Sequence, residues 1–201
     1  MCIRKKDEMM KKKRLEKGSY GYIDAYRRRH LLISLSWLTV VAVIFIVGIL
    51  VFKTKLNFAT LAAMLILLPA VKAWIALIVM LPYHTDKKDY FEETKQLMAG
   101  KNAEVFSDIV MTKYEGSMMV SVLVLYDNNF FAYVPKKQKK SVKEIKTYLN
   151  SIITAAGATS KAMVFDEFDA FKKVIENLSS QENRDGKKLA AIRKQLFVTL
   201  V

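Results

Sequence analysis

Few residues in this sequence can hold a metal or run nucleophilic chemistry. Cysteine occurs once, as Cys2, and histidine twice, as His30 and His84. One cysteine excludes an intramolecular disulfide, and with two histidines it cannot complete a Cys/His zinc site of ordinary spacing. Glycine is scarce, seven in 201 residues. No GxxxxGKS/T or GxGxxG phosphate cradle is formed, and HExxH and GxSxG are missing too. No cofactor and no metal is therefore expected.

Charge is missing from two long stretches. From Leu31 to Phe52 there are 22 residues without a charged side chain, and from Phe58 to Pro82 there are 25 with only Lys72. As helices these runs reach roughly 33 and 37 Å, enough for a hydrocarbon core about 30 Å thick. A cleaved signal peptide is the alternative for the first run, and it fits less well. Its apolar region would be shorter and nearer the start, and no small-residue cleavage site follows. A buried soluble helix would show a polar face, and these runs show none.

What is abundant is basic charge: 33 Lys and Arg against 19 acids. Half of that excess lies in residues 1–30, which carry eleven Lys/Arg and four acids. Lys11, Lys12, Lys13 and Arg14 form one cluster, and Arg27, Arg28 and Arg29 another. Positive charge beside a span stays on the cytoplasmic side. This predicts a transmembrane α-helical hairpin (31–52 and 58–82) in the plasma membrane with both termini cytoplasmic. The basic clusters would lie against the anionic inner leaflet. Tyr20, Tyr22 and Tyr26 suit the headgroup layer, so residues 1–30 read as a basic, interfacial segment in which Gly18 and Gly21 oppose a long helix. Nucleic acid is a disfavoured partner, because the membrane already accounts for the charge.

Lys72 is about 15 Å along the helix from Pro82, close to mid-depth. A lysine there costs about 2.5–3.5 kcal/mol. Its side chain leans away from the nearer surface, so snorkelling is awkward. Pro69 frees backbone carbonyls nearby, and Ser36 and Thr39 of the first span offer hydroxyls at similar depth. Neither span has a carboxylate. Lys72 is thus expected to meet a carboxylate of another membrane protein or a lipid headgroup, and a homo-oligomer is a further candidate assembly.

Beyond residue 83 the pattern changes. A connecting helix (83–100) is predicted from an Asp86 cap to Met98, stopped by Gly100. A cytoplasmic α+β domain (101–201) follows. Its antiparallel three-stranded start comprises 103–114, 117–126 and 130–134, of which the first alternates imperfectly. A helix then opens on a Ser141/Glu144 capping box, followed by a strand at 161–165, a helix capped by Asp166, and a last helix. Residues 196–201 read as helix tail or strand. The acids at 166–169 read as helix-start charges rather than metal ligands. Lys113, Glu115 and Asp127 all fall at predicted turns and are not expected to make a nuclease-like site. Lys136, Lys137, Lys139 and Lys140 form a basic loop facing lipid or an acidic partner.

The segments "KGSYGYI" and "LPAVKAWIALIVML" resemble those of small two-span membrane proteins of Gram-positive anaerobic bacteria. The resemblance implies a bacterial plasma membrane and no particular activity. The expectation is a non-enzymatic adaptor or accessory subunit. The alternative is a membrane-tethered enzyme acting on nucleic acid or lipid, which would require a pocket of converging polar groups.

Overall fold

The computed structural model describes residues 15–53, 58–113, 116–136, 141–178 and 186–200. The chain divides into a helical hairpin, Ile23–His84, and an α+β domain built from the residues before it through Tyr22 together with Thr85 onward.

The hairpin consists of α1 (Tyr22–Phe52) and α2 (Phe58–Met80). α1 starts before Leu31, at Tyr22, so the helix takes in the last part of the basic segment. The two opposing glycines, Gly18 and Gly21, both have φ +83° and lie just outside it. After them, Asp24 and Arg27 pair one turn apart at 3.5 Å. α2 runs unbroken through Pro69. Each helix has one covered stripe. On α1 it follows Ser34, Trp37, Val41, Ile44 and Gly48, and on α2 Ala63, Ile66, Ala70, Ala73, Leu77 and Met80. The 3–4 spacing puts each stripe along one face of its helix. All other faces expose apolar side chains, among them Leu35, Val43, Leu50, Leu65, Leu68 and Ile75. At the open end, Arg27 donates to Nδ1 of His84 at 2.7 Å.

The domain is a mixed four-stranded sheet with helices on both faces. β1 (Ala103–Lys113), β2 (Gly116–Tyr126) and β3 (Asn129–Tyr133) are antiparallel neighbours. β4 (Ala162–Phe165) adds in parallel to β3, giving the order β1-β2-β3-β4. Asp127 and Asn128 both take positive φ, 45° and 62°, which makes the tight β2–β3 turn that the asparagines predict.

One face packs on α4 (Val142–Ala155) and α6 (Gly186–Thr199) through a core that includes Leu123, Phe130, Leu149 and Ile192. The other face packs on α3 (Lys88–Leu97) and α5 (Phe168–Glu176) through Val124, Phe131, Tyr133 and Phe171. Ser141 caps α4 by accepting the Glu144 N–H. α6 continues to Thr199, and Leu200 then makes a single antiparallel bridge to Met111.

Two capping expectations are corrected. α3 begins after Lys87 without a side-chain cap, because the Asp86 carboxylate is used by the sheet. α5 begins after Glu167 rather than Asp166, also without a side-chain cap, because Glu167 is drawn to Lys136.

Candidate functional site

The imperfect alternation of β1 has one cause. Asp108 has φ +52°, in the left-handed region that a non-glycine residue enters at a cost. Pairing is regular on both sides, Ser107 with Val122 and Ile109 with Val120, so the register does not slip. The pleat does. Phe106 and Ile109 face the same core, as do Val120 and Leu123 on β2. Three-residue steps replace two-residue steps on both strands. The sheet therefore presents a polar break inside otherwise apolar strands.

Ser107, Asp108 and Ser121 at this break are buried, Asp108 to 2% exposure. A buried carboxylate must be hydrogen-bonded to remain. Asp108 Oδ2 accepts the Gly21 N–H at 2.8 Å and the Thr85 hydroxyl at 2.7 Å. Gly21 immediately precedes α1, and Thr85 follows the hairpin, so one carboxylate holds both domain-side junctions. Asp86 adds to the same cluster. Its Oδ2 accepts from Ser121 Oγ at 3.1 Å, its Oδ1 from the Lys87 N–H at 2.8 Å, and its carbonyl from Tyr20 Oη at 3.1 Å. Ser107 Oγ donates to the Ser121 carbonyl at 2.9 Å. Sequence reasoning did not single out Asp108 or Thr85. The only local signal was the broken alternation in "AEVFSDIVMTKY".

The residues expected to act within or against the membrane are dispersed. Lys72, Ser36 and Thr39 all lie on exposed faces of the hairpin, off the covered stripes. The Thr39 hydroxyl donates to its own helix at the Leu35 carbonyl, 3.0 Å away. Lys72 has no hydrogen bond or ion pair among the described residues, so the structure does not bring the three together. Arg28 and Arg29 are exposed, and Arg27 is shared between Asp24 and His84. Lys136 is paired with Glu167 at 2.7 Å. That hydrogen bond holds the ammonium above, and the carboxyl below, its ordinary range. Lys11, Lys12, Lys13, Arg14, Lys137, Lys139 and Lys140 lie outside the described residues.

The aromatic face around Tyr133 is the most perturbed part of the domain. Tyr90, Phe168 and Phe171 surround its ring, with Tyr90 and Phe168 stacked at 4.1 Å. Burial, reinforced by the negative charge of Asp86, pushes the Tyr133 phenol up to about 12.

Lys113 and Asp127 lie at opposite ends of the β2 strand, which spans roughly 30 Å, and Glu115 lies outside the described residues. Among the described residues no group of three His, Cys, Asp or Glu side chains converges. The cleft between the Lys113 end of the sheet and the start of α4 is lined by Ser141, Lys143, Glu144 and Tyr148. Of its two serines, Ser141 caps the helix and Ser151 donates to the Tyr148 carbonyl at 2.7 Å. Comparison with family models, with curated proteins and with solved structures gives no match.

Proposed function

We propose that the chain is an integral protein of the plasma membrane. In this reading α1 and α2 span the bilayer as a hairpin with both ends cytoplasmic, and the α+β domain serves as a non-enzymatic adaptor or accessory subunit. The observation that carries it is the apolar surface on every outward face of two helices long enough to cross. Water would not tolerate so continuous an exposed apolar surface on a monomer. The basic excess of residues 1–30 supports the orientation.

Lys72 supports the adaptor part. It lies exposed amid apolar side chains, and neither apolar run, 31–52 or 58–82, contains a carboxylate; Asp24, the one acid on α1, is paired with Arg27 at 3.5 Å. Within those runs a second copy brings another lysine and no acid. A transmembrane carboxylate on a different protein answers this charge best, because an intramembrane ion must be paired.

Three measurements test the reading. The protein should stay in membranes after an alkaline wash. In a Cys2→Ser background, Lys55→Cys should label from outside intact cells and Lys161→Cys should not. Labelling of Lys161→Cys from outside ends the topology. Lys72→Leu should reduce complexes recovered in mild detergent, and equal recovery removes the partner from the proposal.

A further inference from the structure

We propose that residues Lys17–Gly21 are a strap that closes the outer edge of β1, with Asp108 as its latch. β1 ends the sheet, and an uncovered edge offers its N–H and C=O groups to any extended strand. Two pieces of chain cover it. The Ser107 N–H donates to the Gly18 carbonyl at 2.8 Å, and Met111 pairs with Leu200. The Lys17 ammonium donates to the Leu200 carbonyl at 2.7 Å, so the covers hold each other. The opposite edge, β4, is only four residues long, which by itself blunts pairing.

Glycine is needed in the strap. Gly18 has φ +83°, and a Cβ there would lie 3.1 Å from the Phe106 ring. Three residues on, Gly21 is held by Asp108, and the next residue opens α1. Displacement of the start of α1 therefore pulls on the strap through a single residue. Release uncovers the Ser107 N–H and takes the lysine from Leu200. The opened edge then pairs with the same edge of a second copy, since antiparallel strands match about a two-fold axis. The strap rests on contacts within the domain. Only its coupling to the bilayer rests on the hairpin reading.

The test is hydrogen exchange on the full-length chain in lipid nanodiscs. Gly18→Val forces both the backbone and the Phe106 contact. Exchange of the segment containing Ser107 should rise about tenfold or more while β2 and β3 stay protected. The variant should also associate with increasing concentration in detergent. Wild-type protection of Ser107 in the folded variant overturns the strap.

If Gly18→Val disturbs the whole domain, a second variant decides. The Cβ position at Gly18 is 3.6 Å from Phe106 Cβ, within disulfide range. Gly18→Cys with Phe106→Cys, in the Cys2→Ser background, should oxidise spontaneously and protect Ser107, and reductant should reverse this. A folded chain in which the pair fails to oxidise overturns the proposal. Loss of the protein from alkaline-washed membranes would count against the hairpin reading alone.

Discussion

The hairpin and the domain spend the same residues in opposite ways. In the hairpin, leucines and valines point outward and polar residues such as Lys72 and Thr39 lie exposed among them. In the domain, the apolar side chains fill two cores, and the polar residues inside are tied to one another at Asp108. The difference teaches that hydrophobicity alone does not say which side of a helix or strand is buried. In the domain, burial is set by packing between layers, and its polar exceptions must be satisfied. The hairpin covers only a narrow stripe and leaves its remaining apolar surface exposed.

The largest expected effect breaks this comparison directly. Leu123 is fully buried and Leu68 is 70% exposed. Leu123→Ala should cost the domain about 2–5 kcal/mol, read from the denaturant midpoint of the domain. Leu68→Ala should leave that midpoint unchanged. An equal loss from both would mean that the hairpin surface is packed like a core.

A smaller effect sharpens the polar side of the comparison. Thr85→Val keeps the shape but removes a hydroxyl donated to a buried carboxylate. Hydrogen bonds to charged groups contribute about 1.5–3 kcal/mol, and the domain should lose that much. The control is Thr39→Val, whose hydroxyl bonds only its own helix and whose loss should leave the domain's stability where it was.

The smallest effect concerns pH. The folded Tyr133 holds its proton up to about 12, whereas an unfolded tyrosine releases it near 10.0. Between those values the unfolded chain has lost a proton that the folded chain retains, so stability falls as pH rises through that window. Tyr133→Phe should flatten this part of the stability profile. An unchanged alkaline slope would show that the phenol is better solvated than its aromatic surroundings suggest.

Much of the domain was legible from local pattern. The continuous apolar run at 117–126 became the central strand β2, Asp127 and Asn128 made the β2–β3 turn, and the Ser141/Glu144 pair opened α4. These signals work because period, turn chemistry and capping act over a few residues. The polar latch was not legible. The partners of Asp108, Gly21 and Thr85, lie 87 and 23 residues away along the chain. In sequence the aspartate appeared only as a flaw in alternation. The cap expected at Asp86 failed for a related reason: a short-range rule assigned a carboxylate for which Ser121, 35 residues away, competed.

The sequence by itself determined two long apolar helices, their basic flank, and the order of strands and helices that follows, since each is written in contiguous residue patterns. Only the tertiary structure decided that β4 joins β3 in parallel, that the pleat shifts at Asp108, that both junctions of the hairpin share one carboxylate, and that Lys72 faces outward. Those outcomes depend on which distant groups meet, and a hydrogen bond or a covered edge exists only once the chain has brought both partners within reach.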